Sequence, residues 1–261
     1  GKLTPPCADW ANKQADYAES EYVSYPRKTV GSATLITLTL AASGIVTTSS
    51  ASAQSIATIG ATVAVSADRA AAQRPPIVYD PIPLGQKRKN QMAAYAQRHY
   101  GIYTSSFGIP KQVILHYTVS PTYSSTWNWM AANSAAPGNA GTKKEKPGAC
   151  THFVVAKNGT IYQLAPLDVM CRHVVGLNNQ AIGIEFVEMK SARNILRRTK
   201  QVRAGQALVR WLQSENGIAK RDVIGHAMAN RSRFFYDRLG WFNDHDDWPT
   251  SHVKLFRRGI L

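Results

Sequence analysis

Two histidines end short apolar runs that we interpret as strands, and both could serve as metal ligands. His116 follows Val-Ile-Leu, and His226 follows Val-Ile-Gly. Strand ends at one edge of a sheet are where mixed folds present functional sites. An acidic segment from Asp244 to Asp247 contains a third imidazole, His245. Two imidazoles and one carboxylate are a common zinc shell in hydrolytic enzymes, where the metal lowers the pKa of a bound water to about 7. Taken together these residues predict a metal site, whereas each of them alone would more often be structural.

The elements that must position these residues follow from hydrophobic periodicity. Apolar runs predict strands at 112–117, 152–156, 161–164, 181–187 and 222–226, and helical spacing predicts helices at 87–100, 124–132 and 202–215. Asn158-Gly159 predicts the tight turn of a hairpin between the second and third strands. Because strands and helices are mixed along the chain, we expect a mixed α/β fold with a single central mixed β-sheet flanked by helices.

The charge of the chain is unevenly distributed. Its 261 residues are 44% hydrophobic and 18% charged, which excludes a disordered chain and a coiled coil. Residues 1–80 hold six basic and six acidic side chains, whereas residues 81–261 hold 25 basic and 10 acidic ones and carry all of the net charge of +15. The second part is therefore a cationic domain that favours polyanions such as nucleic acid, anionic lipid or acidic wall polymer.

Residues 27–53 have the three parts of an export signal. Two cations at Arg27 and Lys28 precede the apolar segment 30–46, and Ala-Ser-Ala at 51–53 provides a cleavage site. The apolar segment is short and threonine-rich, so we expect no stable membrane span. The alternative is a low-complexity linker of Ala, Ser and Thr.

The rest of the N-terminal region carries no chemistry that we can identify. Residues 1–26 have no assigned role, and residues 54–79 are predicted to be a linker of Ala, Ser, Thr and Pro. The folded domain is predicted to span residues 80–261. We expect a secreted protein of the cell wall, released by cleavage near Ala53.

Four motifs occur in an order that resembles a known family. They are Leu115–Thr118, Thr151–Phe153 with Asn158–Gln163, Asn179–Glu185 and Val223–His226. Over residues 80–261 the chain is similar to the zinc-dependent N-acetylmuramoyl-L-alanine amidase family, type 2, which also includes the peptidoglycan recognition proteins. The resemblance implies a catalytic domain with a central mixed sheet flanked by helices and a zinc site at one edge of the sheet.

The resemblance also implies a ligand set for Zn²⁺. His116 and His226 match the two histidine ligands of the family. The third ligand in many members is the aspartate of a Lys-x-Asp-Pro-Gly stretch, which places Asp247 on the ligand and His245 on the lysine. Because the Pro-Gly that would define this register is absent here, Asp246 is the alternative ligand.

Three further residues acquire roles from the same resemblance. Glu185 matches the acidic catalytic residue, a general base whose pKa should rise among apolar neighbours; the alternative is an exposed strand carboxylate, as we expect for Glu188. His245 would stabilise an oxyanion, or would orient Asp247. His173 matches a histidine near the substrate groove and is predicted to bind substrate, with a structural role as the alternative.

The remaining histidines and two cysteines are expected to be structural. We interpret His152 as a hydrogen-bonded core residue and place His99 and His252 at the surface. Cys150 and Cys171 flank the predicted hairpin, so they could form a disulfide in an exported protein or remain two packed thiols.

The function implied by the resemblance is hydrolysis of peptidoglycan. The bond cleaved would be the amide between N-acetylmuramic acid and L-alanine of the stem peptide, with zinc-activated water as the nucleophile. The alternative is a non-catalytic peptidoglycan-recognition module of the same fold, but such a module would be expected to lose a zinc ligand. The same catalytic domain would serve a host autolysin or a phage endolysin.

The expected partners follow from this function and from the charge. We expect peptidoglycan and anionic wall polymers as partners, and a monomer. The basic segment 193–203 lacks the interleaved aromatic residues of single-strand binders, so we expect no nucleic-acid partner. We interpret this segment as a solvated loop or a contact with wall polymer.

Overall fold

The computed structural model describes residues 72–135 and 144–261. The predicted segments 1–26 and 27–53 lie outside the described residues, as does most of the predicted linker 54–79. None of the helices in the described part of the chain is long and apolar enough to cross a membrane.

A six-stranded mixed sheet forms the centre of the domain, which confirms the predicted fold class. Its strands are β1 (Ile77–Tyr79), β2 (Gln112–Tyr117), β3 (Phe153–Val155), β4 (Ile161–Gln163), β5 (Ala181–Phe186) and β6 (Val223–Gly225). Their spatial order is β1-β4-β3-β5-β2-β6. Strands β2, β3, β5 and β6 run in one direction, and β1 and β4 run in the other.

Three helices of the described residues lie close to their predicted positions, and two others, Ala192–Leu196 and Thr250–Phe256, were not predicted. They are α1 (Gln86–Tyr100), α2 (Tyr123–Ala131), α3 (Ala192–Leu196), α4 (Thr199–Asn216) and α5 (Thr250–Phe256). Helix α1 ends at Gly101, whose φ of 80° is the left-handed conformation that glycine adopts at low cost.

The basic segment 193–203 is helical, so its interpretation as a loop is wrong. It comprises most of α3 and the first turn of α4. Ala192, Ile195 and Gln201 are buried against the sheet, while the arginines and lysines between them face outwards or lie half-buried. Because most residues of this segment are charged or polar, the helical spacing of its few buried positions is not evident in the sequence.

Alternation along the central strands separates a structural face of the sheet from a functional one. Val113 and Leu115 of β2 belong to the same core cluster as the buried side chains of α4 and α5. On the opposite face, Ile114 packs with Leu177 and Ile224. Because successive side chains of a strand point to opposite faces, the residues after Leu115 and Ile184 are directed away from these helices.

The sheet begins earlier than the sequence predicted. Strand β1 lies within the segment 54–79 interpreted as linker and pairs in parallel with β4, Ile77 opposite Ile161. The folded domain therefore begins before Asp80. This edge strand is only three residues long and mostly exposed, so it has no hydrophobic alternation by which the sequence could have revealed it.

The β3–β4 hairpin is closed by a disulfide between Cys150 and Cys171, one of the two alternatives left open by the sequence. Cys150 precedes β3 and Cys171 follows β4, and both are buried in a cluster that includes Val154 and Leu164. The bond therefore ties the open end of the hairpin within a packed core.

Removing this disulfide should destabilise the domain. For a sequence separation of 21 residues, the loop-entropy model gives a loss of about 3 kcal/mol in the free energy of unfolding for Cys150→Ala/Cys171→Ala. Urea denaturation measures this loss, and the reduced wild-type protein should reach a similar value. A loss below about 1 kcal/mol in the double variant would contradict the expected contribution.

Candidate metal centre

Three buried side chains converge at the carboxyl ends of β2 and β6. The Nδ1 atoms of His116 and His226 lie 3.1 Å apart. Asp247 places Oδ2 3.3 Å from Nδ1 of His116 and Oδ1 3.1 Å from Nδ1 of His226. All three residues are less than 10% exposed. They are a group of ligand type, with one donor atom from each residue within 4.8 Å of the others.

These separations fit a small tetrahedral cation. Ligand atoms about 2.0–2.1 Å from zinc at the corners of a tetrahedron lie about 3.3–3.4 Å from one another. The observed distances of 3.1–3.3 Å are close to this value. Nitrogen and carboxylate oxygen are also the ligand types that zinc accepts, so the residues fit the predicted metal.

Parallel strand pairing brings the two histidines together. Leu115 of β2 is paired with Gly225 of β6, so the residues that follow them, His116 and His226, are neighbours. His226 begins a 3₁₀ helix that extends to Arg231. The strand-end positions that suggested the two histidines are therefore adjacent in the sheet.

Asp247 reaches the histidines because a glycine allows the chain to approach the sheet closely. A Cβ atom on Gly225 would lie 1.8 Å from the carbonyl oxygen of Trp248. The indole of Trp248 is fully buried and donates to the carbonyl of His116 at 3.0 Å. Ala227 donates its amide to the carbonyl of Asp247 at 3.0 Å. Of the two aspartates considered as third ligand, the structure brings Asp247 to the histidines and leaves Asp246 exposed.

Asn243, which the sequence analysis did not identify, determines the tautomer of His226. Its amide orientation follows from Val175, whose N–H donates to Oδ1 and whose carbonyl accepts from Nδ2. Oδ1 is therefore an acceptor, and Nε2 of His226, at 3.0 Å, must donate to it. This leaves Nδ1 of a neutral His226 with a lone pair directed at Asp247 and His116. Asn243 lies in the acidic segment that drew attention to Asp247, but no sequence pattern relates it to His226.

Glu185 lies beside the candidate metal ligands. In the parallel pairing of β5 with β2 it is directly opposite His116. Its Oε2 is buried and makes no hydrogen bond to any residue that the structure describes. Burial raises the pKa of this carboxyl well above its usual value, and the charge of Asp247 raises it further. Glu185 itself is half-buried and lines an open cleft, so a carboxyl with one buried, unpartnered oxygen is poised there to exchange a proton with a bound molecule.

An open cleft of about 740 Å³ gives access to this group. The predicted site residues His116, His173, Glu185, His226, His245 and Asp247 all line it. Its volume is within the range of small-molecule sites. The exposed apolar side chains of Val119 and Trp129 also line the cleft and offer surface to a ligand.

His245 lies over a metal ligand without belonging to the ligand group. Its ring stacks on that of His226, with 4.6 Å between centroids and 11° between planes. Its side chain is 65% exposed, and Nδ1 is 3.1 Å from Oδ1 of Asp244. The structure thus pairs His245 with Asp244 and not with Asp247, and leaves the ring accessible from the cleft.

His173 has both ring nitrogens engaged within the protein. Nδ1 lies 3.0 Å from Nε2 of His116, and Nε2 lies 3.0 Å from the carbonyl oxygen of Ala181. Both ring nitrogens are thus bonded within the protein, as the structural alternative requires, while the ring lines the cleft; substrate binding by His173 stays a prediction. His152 is buried and bonded to the carbonyl of Val169 and the amide of Gly183, in agreement with its interpretation as a core residue.

Two side chains that were expected at the surface are buried. His99 is fully buried between Asp237, at 2.6 Å, and Glu145, at 3.0 Å. Glu188 is 2% exposed and pairs with Arg198; although burial raises its pKa, its hydrogen bonds and this ion pair lower the pKa to about 2. The partners that allow His99 to be buried are distant in sequence, so its local context gave no sign of them. His252 is half-buried.

A comparison with models of protein families identifies one family. A family model described as N-acetylmuramoyl-L-alanine amidase matches residues 106–238. This range contains His116, Glu185 and His226 and ends before Asp247. No curated protein matches the chain.

Several solved structures are similar to the chain. A mutant endolysin from Bacillus subtilis is 18% identical, covers 71% of this chain and 99% of its own, and has a TM-score of 0.45. The N-acetylmuramoyl-L-alanine amidase LysC from Clostridium intestinale is 18% identical, with 72% and 100% coverage and a TM-score of 0.43. The Staphylococcus aureus hydrolase AmiA, in complex with its ligand, is 16% identical, with 72% and 82% coverage and a TM-score of 0.45.

The raised pKa of Glu185 can be measured in the zinc-free protein. With ¹³C-labelled glutamate, the Glu185 carboxyl should titrate well above the ordinary value of about 4.3, so a higher pH is needed to form its basic carboxylate. Asp247→Asn should lower this pKa, because it removes the neighbouring negative charge. Glu188 is an internal control, with a pKa of about 2. Titration of Glu185 at or below the ordinary value would contradict its burial without a partner.

Proposed function

The chain belongs to the N-acetylmuramoyl-L-alanine amidase family, and we propose that it uses zinc to hydrolyse the amide between N-acetylmuramic acid and L-alanine of peptidoglycan. The observation that carries this proposal is the juxtaposition of a group that could hold a metal with the carboxyl of Glu185, whose buried Oε2 has no hydrogen-bond partner among the described residues. A metal held by the ligand group can activate a nucleophile, and the carboxyl can accept the proton of that nucleophile.

His116, His226 and Asp247 would hold the metal. Both imidazoles present Nδ1 to the position between the three residues, and Asp247 offers a carboxylate oxygen to each side. A zinc ion bound there would supply Lewis-acid chemistry, lowering the pKa of a water molecule and polarising the carbonyl of the scissile amide.

Glu185 is the proposed general base. It lies next to His116 on the face of the sheet that faces the cleft, within the same group of lining residues. Its raised pKa makes the carboxylate a stronger base, which suits a group that must accept a proton from the attacking water and return it to the leaving nitrogen. Its desolvation also strengthens each charge interaction that it makes in the transition state.

His245 is the proposed oxyanion donor. Its exposed ring borders the cleft beside His226, where an imidazole N–H can donate to the negative charge that develops on the carbonyl oxygen. Asp244 holds one nitrogen of the ring, at Nδ1, so Nε2 is the atom that we assign to this contact.

The complete ligand group favours an enzyme over a recognition module. A module that only binds peptidoglycan has no need for a carboxyl with a buried, unpartnered oxygen, which costs free energy of folding. Glu185 keeps such a carboxyl directly opposite a metal ligand. The proposal therefore assigns to this chain a hydrolytic role, in an autolysin or an endolysin.

The basic surface suggests a second contact with the cell wall. Residues 189–214 contain seven lysines and arginines and no acidic residue. Arg193, Arg197, Lys200 and Arg203 are exposed on α3 and α4. A surface of this charge favours polyanions, so we assign it to contact with the anionic polymers of the wall that holds the substrate.

Amide cleavage should be visible on purified peptidoglycan. The full chain should release new N-terminal L-alanine without new reducing sugar ends, and a chelator should abolish this release until zinc is restored. Glu185→Gln should lower the rate by about 10²- to 10⁴-fold, because the general base is lost. New reducing ends would indicate a glycosidase instead. Tight binding with no product of either kind would leave the recognition module as the function.

Two adjacent aspartates provide the matched control for this assay. Asp247→Asn should lose both bound zinc and activity, whereas Asp246→Asn, at an exposed neighbour, should keep both. Zinc content by atomic emission and the release of L-alanine should change together. The opposite result would make Asp246 the third ligand.

Export is the proposed route to the substrate. The signal-like pattern of residues 27–53 supports it, and so does a substrate that lies outside the membrane. In a bacterial host, the exported protein should begin immediately after Ala53, which N-terminal sequencing of the secreted fraction would show. Retention of uncleaved chain inside the cells would contradict export by this segment.

A further inference from the structure

The metal ligand His116 is hydrogen-bonded to another imidazole, that of His173, at 3.0 Å. Building on the metal centre of the proposed function, we propose that His173 is a positioning residue that holds His116 in the tautomer with a free Nδ1. A backbone carbonyl of β5 determines which nitrogen of His173 carries the proton, and His173 in turn determines which nitrogen of His116 carries it.

The first step is set by a carbonyl group. The backbone oxygen of Ala181, the first residue of β5, lies 3.0 Å from Nε2 of His173. A carbonyl oxygen can only accept, so the proton of His173 must be on Nε2. The other partner of this ring is an imidazole, and neither partner is a carboxylate that would stabilise an imidazolium. A neutral His173 with Nε2 protonated has a lone pair on Nδ1.

The second step transfers this constraint to the ligand. The lone pair on Nδ1 of His173 is directed at Nε2 of His116, 3.0 Å away. Because Nδ1 of His173 carries no proton, a hydrogen bond between the two rings requires the proton of His116 to be on Nε2. Its Nδ1 is then unprotonated and faces Asp247 at 3.3 Å and His226 at 3.1 Å. This is the form of histidine that binds a metal through Nδ1.

The two histidine ligands thus obtain the same tautomer from different groups. His226 donates from Nε2 to the side chain of Asn243, and His116 donates from Nε2 to His173. In each case the partner is held by backbone groups, those of Val175 for Asn243 and that of Ala181 for His173. A ligating histidine usually donates its second N–H to a carboxylate, a carbonyl or water, whereas His116 uses an imidazole as a relay.

The structure makes room for the relay at Gly183. A Cβ atom there would lie 2.9 Å from both Cγ and Nδ1 of His173, so only glycine lets the ring lie against β5. Asn178 accepts from the backbone N–H groups of His173 and Val174, both at 2.8 Å, and so holds the chain that carries the ring. Within the Ile-Gly-Ile-Glu motif, Gly183 therefore leaves space for the ring of His173, whereas Glu185, two residues later, contributes its carboxyl to the cleft.

His152 is a matched control for His173. It is a second buried imidazole whose Nε2 is bonded to a carbonyl, that of Val169, and whose Nδ1 accepts from the amide of Gly183. Its ring centroid lies 5.9 Å from that of His173. Its hydrogen bonds go to the backbone rather than to a metal ligand, so its replacement tests the effect of packing without the relay.

The direct test is the tautomer of His116 in the zinc-free full chain. Long-range ¹H–¹⁵N spectra of histidine-labelled wild type should show His116 protonated on Nε2 and unprotonated on Nδ1. His173→Phe should remove this preference, and His152→Phe should leave it intact. A proton on Nδ1 of His116 in the wild type would overturn the proposal.

Zinc affinity provides a second readout, measured by competition with a chromophoric chelator. His173→Phe should weaken zinc binding about 10- to 100-fold, the effect usual for a partner of a metal-binding histidine, and His152→Phe should weaken it less than about 3-fold. His173→Gln, whose amide oxygen can accept from His116, should recover part of the loss. Equal weakening by the two phenylalanine variants would reduce His173 to a packing residue and overturn the proposal.

These readouts separate the proposal from the proposed function. If the wild type binds no zinc, the metal-dependent function fails, while the wild-type spectrum still decides whether His173 sets the tautomer of His116. If His173→Phe does not fold, as circular dichroism would show, the wild-type spectrum and His173→Gln decide. Retained amidase activity is not required for either measurement.

Discussion

The structure depends on placing three electron-pair donors at the same point in a buried environment. Two imidazole nitrogens and a carboxylate oxygen lie 3.1–3.3 Å apart with little exposure to water. Such a concentration of negative potential costs free energy unless a cation is bound or a proton is shared. Several features of the described chain serve this point: the parallel pairing of β2 with β5 and β6, the approach of Trp248 over Gly225, and the hydrogen bonds that keep the imidazole protons away from the centre.

The same sheet separates stability from chemistry by the alternation of its side chains. Leu115 and Ile184 contribute to the core beneath the helices, and the residues that follow them, His116 and Glu185, line the cleft. The polar centre therefore needs no gap in the core. This alternation also explains why the sequences of β2 and β5 are nearly continuous apolar runs, interrupted only where the strands reach the site.

The sequence was sufficient for features that are local, and insufficient for those that depend on distant contacts. The strand-end positions of His116 and His226 are visible as two short apolar runs, and the mixed sheet follows from the order of the elements. Asn243 could not be related to His226, because their hydrogen bond requires the fold of the intervening chain. His99 was misplaced for the same reason: its partners, Glu145 and Asp237, are 46 and 138 residues away. The role of His173 depends on a carbonyl group, which every residue has and no sequence pattern marks.

The segment from Asp244 to Asp246 lies between two firmly held neighbours. On one side Asn243 is bonded to Asn230 and Val175, and on the other Asp247 and Trp248 are bonded to Ala227 and the carbonyl of His116. The three residues between them are exposed and include His245, the proposed oxyanion donor. A substitution in this short exposed segment can therefore change the charge at the edge of the cleft while Asn243 and the candidate ligand Asp247 keep their positions.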